Sequence, residues 1–294
     1  MSSSYLQKFI FESLPIKGSL VVLDDAWLTI AEQKIYPNGL KQLLGELLAA
    51  NVLLTSNLKL DGKVICQIQD NPHFNLVVSE CSNQYHIRAT AKFTAKDEAM
   101  LDYSSYLQEG RLVVSIDSKS EGNLYQSIIA FNGSEVSEIL NNYMMQSEQL
   151  KTWFFLAYQE NKVVGFMLQQ LPDTHQLHVN EIERIFMLAN TLTAHELLND
   201  GLERIITKLF NEDNVVVMPK HPVIFACSCS RQRVSEILRN LGKDELTTLI
   251  NEQGNISVDC DYCNTEYRFT EYELSQFILQ LSIEDLAPIS TQIN

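Results

Sequence analysis

Four of the chain's six cysteines fall within residues 227–263, as Cys227-Ser228-Cys229 and Cys260-Asp261-Tyr262-Cys263, with 30 residues between the two pairs. Two close thiol pairs separated by a foldable loop can present four soft sulfur ligands to one tetrahedral ion. Zn²⁺ is the default occupant, because it accepts four thiolates without redox chemistry of its own. In a reducing compartment, such thiols read as metal-binding or redox-active rather than as permanent disulfides. Four buried structural cysteines would account for the residue type but would leave both tight pairs as coincidence.

The surrounding sequence supplies elements to aim these sulfurs. Ser230 can cap a helix running to about Leu241 and ended by Gly242, and Asp244–Asn251 offers a second helix ending near Gly254. Ile256–Val258 leads into the second cysteine pair and Tyr267–Phe269 leads out, so that pair is expected in the turn of a β-hairpin. A last helix is expected at about Glu271–Gln280.

Before this module, residues 1–172 read as one α+β domain with a largely antiparallel sheet. A strand-like run at Ser19–Leu23 precedes a helix over 37–56. Pro37 suits its first turn, and Leu40, Leu43, Leu44, Leu47 and Leu48 share a face. Leu58 and Leu60, the turn Asp61-Gly62, then Val64, Cys66 and Ile68 suggest a strand, a tight turn and a second strand. Further strands are expected at Phe74–Glu80, Tyr85–Ala91, Arg111–Asp117 and Tyr125–Phe131. A helix at Ser134–Met145 follows, then a hairpin of Phe154–Tyr158 and Val163–Leu171 about Glu160-Asn161-Lys162. Cys66 and Cys81 have no close sequence partner and read as apolar fillers. His73, His86, His175, His178, His195 and His221 are scattered, with no ligand-spaced companion. No Walker loop, dinucleotide fingerprint, nucleophile elbow or zincin motif is present, and no enzymatic activity is expected.

Residues 173–225 change character and read as a helical linker, with 226–294 as the cysteine module. After a polar loop at Asp173–Asn180, a helix over about 181–191 carries Ile182, Ile185, Phe186 and Ala189 on one side. Thr193-Ala194-His195-Glu196 has capping-box form and opens a second helix, with Leu202, Ile205, Ile206, Leu209 and Phe210 on one face. Gly201 in mid-pattern weakens that helix by about 1 kcal/mol relative to alanine. Short strands are expected at Val215–Met218 and Val223–Ala226.

Composition restricts the partners. The 294 residues carry a net charge of −15, and 45% apolar residues suffice for a core. Residues 231–294 hold Arg231, Arg233, Arg239, Lys243 and Arg268 against eleven acids, a balance of −6, whereas a zinc module that grips DNA is normally basic. No secretory leader or membrane-length apolar run is seen, so a cytoplasmic protein without membrane or nucleic-acid partners is expected.

The chain resembles the heat shock protein 33 family, bacterial redox-regulated holdase chaperones. The resemblance rests on Cys227-Ser228-Cys229-Ser230-Arg231, the 30-residue gap, and Cys260-Asp261-Tyr262-Cys263. Tyr36-Pro37 and the run Leu53-Leu54-Thr55-Ser56-Asn57-Leu58-Lys59-Leu60-Asp61-Gly62 support it, as do Ser147-Glu148-Gln149-Leu150 and Gly165-Phe166-Met167-Leu168-Gln169-Gln170-Leu171-Pro172. One departure is Asn264 after the second pair, where glycine would be the more usual turn residue; asparagine tolerates the left-handed conformation nearly as well.

The resemblance implies one Zn²⁺ per reduced chain, held by Cys227, Cys229, Cys260 and Cys263. It implies that oxidation makes the disulfides Cys227–Cys229 and Cys260–Cys263, that zinc leaves, and that module and linker unfold. The unfolded form would hold denaturing client proteins without ATP, as a homodimer. Cys66 and Cys81 lie outside the motif and inherit no switching role. Disulfides confined to CxC and CxxC close tiny rings and restrain the chain little, so oxidation would replace a long-range crosslink by two local ones. The linker faces formed by Ile182, Ile185, Phe186, Leu202, Ile205, Ile206, Leu209 and Phe210 are the expected client-binding surface. Two other readings of the cysteines are a zinc-ribbon-like adaptor for nucleic acid or protein and a thiol oxidoreductase. The acidic module opposes a nucleic-acid adaptor. The expected hairpin setting opposes the oxidoreductase, whose CxxC normally opens a helix.

Overall fold

The computed structural model describes residues 3–59, 61–93, 102–118, 124–146, 151–172 and 178–286. The chain divides into two compact units, Met1–Ala226 and Cys227–Asn294.

The first unit opens with β1 (Tyr5–Phe11) and β2 (Ile16–Leu23), followed by α1 (Asp25–Ala31) and α2 (Asn38–Asn57). Next come β3 (Gly62–Gln69), β4 (Phe74–Ser82), β5 (His86–Phe93), a 3-10 turn at Tyr103–Leu107, β6 (Arg111–Ser118) and β7 (Leu124–Ala130). Then follow α3 (Val136–Gln146), β8 (Thr152–Gln159), β9 (Lys162–Gln170), α4 (Val179–Ala189), α5 (Ala194–Asn199) and α6 (Leu202–Leu209). Three short strands close the unit: β10 (Val215–Val217), β11 (His221–Pro222) and β12 (Ile224–Phe225).

The strands make two six-stranded sheets. One runs β10-β1-β2-β9-β8, with β11 also on β1; the other runs β12-β5-β4-β3-β6-β7. All pairings are antiparallel except β12 with β5. The α+β class with mainly antiparallel sheets is thus as expected.

Helix α2 packs against strands of both sheets. Its five-leucine stripe is fully buried, but so are Ala49, Ala50, Val52 and Leu53, because a helix between two sheets has no solvent side over most of its length. Burial extends to Asn51, whose Nδ2 donates to the carbonyls of Val64 (3.2 Å) and Ser79 (2.9 Å) and so ties the helix to two strands of the second sheet. On the opposite side Gly165 of β9 comes so close that an added Cβ would stand 2.9 Å from Leu53 Cδ1.

The first sheet is apolar on both faces. Leu6, Val21, Leu23, Val163 and Met167 face the core built around α2, and Phe9, Leu20, Val164, Phe166 and Leu168 join a second cluster with α4, α5 and α6. On one edge, Asn141 of α3 accepts the amide of Phe154 of β8 through Oδ1 at 2.7 Å.

Several details differ from the sequence reading. Pro37 is the N-cap of α2 rather than part of its first turn; its ψ of 145° is extended and its carbonyl accepts the Lys41 amide. No strand includes Leu58: α2 continues to Asn57, Leu58 is its C-cap, and Gly62, already in β3, pairs with Ser118 of β6. Leu60, His175, residues 147–150 and most of the loop 173–180 lie outside the described residues. The helix expected to start after Thr193 is two helices. Asp200 and Gly201 are extended between α5 and α6, and Gly201 is the N-cap of α6 rather than a flaw inside one helix. Asn199, Asp200 and Gly201 all favour local turns over continued helix, which overrides the apolar periodicity. Strand β1 and helix α1 had no distinct sequence signal.

Candidate metal centre

The second unit is built from α7 (Arg231–Asn240), α8 (Lys243–Gln253), the hairpin of β13 (Ile256–Asp259) and β14 (Glu266–Phe269), and α9 (Glu271–Leu286), which runs beyond its expected end at Gln280. Ser230 caps α7 by accepting the Arg233 amide through Oγ at 3.2 Å. Gly242 and Gly254, at φ +86° and +69°, end the first two helices in a conformation that costs other residues strain. The buried core is small: Val234, Leu238, Leu246, Ile256, Phe269 and Leu274.

That scaffold places all four cysteines together. Cys227 and Cys229 lie on the irregular run before the α7 cap, and Cys260 and Cys263 lie in the β13–β14 connection. There the Cys260 amide donates to the Thr265 carbonyl at 3.0 Å and the Asn264 amide to the Cys260 carbonyl at 2.8 Å. Asn264 takes φ +55°, the left-handed turn its position requires. The four sulfurs all lie within 4.8 Å of one another, the one such group of three or more His, Cys, Asp or Glu ligand atoms among the described residues.

Cys227 Sγ is 3.6 Å from Cys260 Sγ, and Cys229 Sγ is 3.4 Å from Cys263 Sγ. A disulfide requires about 2.05 Å, whereas a tetrahedron with Zn–S bonds of about 2.3 Å has sulfur–sulfur edges of about 3.8 Å. The cluster therefore has the dimensions of an ion cage, and its cysteines are thiols.

Electrostatics point the same way. Burial pushes the Cys227 thiol up to about 12 and raises Cys260 as well. Burial also acts upward on Cys263, but the Thr265 hydroxyl and amide and the neighbouring sulfurs outweigh it and bring that thiol down to about 7. Four sulfurs at this separation cannot all be anionic without a cation among them. A divalent ion would supply that charge, and this donor set fits zinc.

Two further hydroxyls touch the cluster and were not singled out in the sequence. The Tyr267 hydroxyl donates to Cys229 Sγ at 3.1 Å, and Thr265 Oγ1 lies 3.2 Å from Cys263 Sγ. Their positions, two and four residues after Cys263 where the chain leaves the second cysteine pair, were the available signal.

The other expected site residues lie elsewhere. Ile182, Ile185, Phe186, Leu202, Ile205 and Phe210 are buried, and Ile206 and Leu209 half-buried, in the cluster that covers the first sheet. Cys66 and Cys81 are fully buried under α2, and burial raises both thiols, Cys81 to about 12.

The sequence profile described as Hsp33 protein matches residues 4–270. The chain belongs to the Hsp33 family. Among its Hsp33 relatives, the "33 kDa chaperonin" of Chromobacterium violaceum is 40% identical over 92% of each chain. The protein of the same name from Methylobacillus flagellatus is 37% identical over 93% of this chain and 94% of its own. The crystal structure of the Hsp33 homologue from Thermotoga maritima superposes with a TM-score of 0.80, covering 96% of this chain and 99% of that one at 21% identity, which establishes a shared fold.

Proposed function

We propose that this Hsp33-family chaperone is a redox-regulated, ATP-independent holdase. Reduced, it holds one Zn²⁺ through Cys227, Cys229, Cys260 and Cys263 and is inactive. Oxidised, it forms Cys227–Cys229 and Cys260–Cys263, loses zinc, unfolds residues 227–286 and the linker helices, and binds unfolding clients as a homodimer.

The observation that carries this reading is the convergence of four sulfurs from two segments 30 residues apart. The bound ion supplies charge neutralisation and a crosslink. A structural zinc site contributes about 10–16 kcal/mol apparent in small modules. The six buried apolar side chains of this unit offer far less on their own. Oxidation within each pair removes that crosslink and leaves only small rings. The alternative connectivity, Cys227–Cys260 with Cys229–Cys263, is within reach of the 3.6 and 3.4 Å contacts. It would retain about 3–4 kcal/mol of chain restraint and so oppose unfolding.

Residues 173–225 are the proposed linker, and its helices α4–α6 cover the first sheet with the side chains a client would meet. The covalent path from the cysteines to these helices runs through β12, β11 and β10. Melting of residues 227–286 therefore releases one end of the segment that fastens α6 to the sheet edge.

The deciding experiment is light scattering from a chemically denatured client, with released zinc counted. Protein oxidised by peroxide under mild heat is expected to suppress aggregation after losing one zinc per chain, and the reduced zinc form is not. Equal suppression by both forms, or metal-free reduced protein, would overturn the proposal. Peptide mapping of the oxidised form decides between the two disulfide connectivities.

A further inference from the structure

We infer that Tyr267 restrains the reactivity of the switch by donating a hydrogen bond to one of its sulfurs, with the Thr265 hydroxyl against a second; this rests on the redox reading above. Tyr267 lies in β14, and Thr265 immediately precedes that strand's first residue, Glu266. Tyr267 lies opposite Val258 in the hairpin register, and its ring packs against the small apolar core of the unit. That packing fixes the hydroxyl 3.1 Å from Cys229 Sγ. Thr265 Oγ1 is 3.2 Å from Cys263 Sγ, and those two sulfurs are themselves 3.4 Å apart. The hydroxyls thus cap one shared edge of the cluster.

A hydroxyl donating to an anionic sulfur draws charge away from the lone pair that attacks an oxidant. With a peroxide, the Cys229 thiolate attacks one peroxide oxygen and the O–O bond breaks. Sulfur becomes a sulfenic acid and hydroxide leaves. The Cys227 thiolate then attacks that sulfur, the S–S bond forms and a second hydroxide departs, so two thiolates have given two electrons to one peroxide. The hydrogen bond opposes the first of these steps. Losing one charge-assisted hydrogen bond to the attacking sulfur should speed that attack by about threefold to tenfold. Tyr267 is a positioning residue in this account: it acts only through Cys229.

The test uses full-length, zinc-loaded, reduced protein as wild type, Tyr267→Phe and Thr265→Val. Peroxide-driven zinc release is followed with a chromogenic chelator, and sulfenic acid at each cysteine is trapped and located by mass spectrometry. Tyr267→Phe keeps the ring and is expected to raise the peroxide-dependent rate about threefold to tenfold, with the gain in trapped sulfenic acid at Cys229. Thr265→Val is expected to act in the same direction at Cys263. An unchanged peroxide rate would overturn the inference. So would an increase matched by equally faster zinc loss to the chelator without peroxide, since that is the mark of a loosened fold. If wild-type protein keeps its zinc under peroxide, the redox reading fails instead, and the sulfenic acid yield at Cys229 still decides the role of Tyr267.

Discussion

The guanidinium of Arg231 stands 4.4 Å over the ring of Phe269, while its Nη2 reaches Glu273 at 2.6 Å. Arg231 follows Cys229 by two residues, and Phe269 follows Cys263 by six. The stack therefore joins the two cysteine-bearing segments without a metal. Arg231→Lys keeps the charge but loses the flat stacking surface, and a cation–π contact of this exposure contributes about 0.5–1 kcal/mol. Faster amide exchange in α7 and α9 of the zinc-loaded protein is expected, with β3–β6 unaffected.

Removing one sulfur should do far more. Cys263→Ser is expected to abolish tight zinc binding and collapse protection across residues 227–286, while the two sheets of the first unit keep theirs. Metal analysis and hydrogen exchange on the same sample check both halves of that statement.

Thr193 and Glu196 form a reciprocal cap on α5: the Glu196 amide donates to Thr193 Oγ1 at 3.2 Å, and the Thr193 amide to Glu196 Oε2 at 3.1 Å. Lys208 of α6 reaches Glu196 and Asp200, binding the two short helices together. Thr193→Ala should cost about 1 kcal/mol, opening α5 more often and speeding its amide exchange. The Thr193 amide and hydroxyl, then Lys208, hold the Glu196 carboxyl down at about 2. Because this folded value lies below the unfolded one near about 4.3, its stabilisation is complete above the unfolded value and is lost as pH falls toward about 2. Amide protection of α5 should decline over that window, and Glu196→Gln should remove the decline.

Glu46 behaves in the opposite sense. It is buried beside α3, accepting the Tyr103 hydroxyl at 2.5 Å and Gln42 Nε2 at 2.8 Å. Burial raises its carboxyl above the usual range, against the lowering effect of those two bonds. A folded value above the unfolded one means that its stabilising contribution is present below the unfolded value and fades as pH rises through the folded one. Glu46→Gln should therefore flatten the pH dependence of the urea midpoint, gaining on the wild type as pH rises.

The cysteine spacing and the strand limits were legible because both are local signals. Phe74–Glu80 and Arg111–Asp117 were read almost to their ends, and Ser230, Gly242 and Gly254 act as the caps their types suggest. Helix α1 was missed because a seven-residue element held in place by Trp27 and Ile30 depends on burial rather than on periodicity. The break at Asp200 and Gly201 was hidden by apolar residues that keep helical spacing across it. The hydroxyls of Thr265 and Tyr267 were overlooked because their meaning depends on where sulfurs from another segment arrive.

The two-faced construction of the first sheet has a practical consequence. Phe166 and Met167 are neighbours in β9, yet one looks toward α4–α6 and the other toward α2. A probe at each position would eavesdrop on a different interior. The proposed unfolding of α4–α6 should perturb the first signal and spare the second, whereas global denaturation would silence both at once.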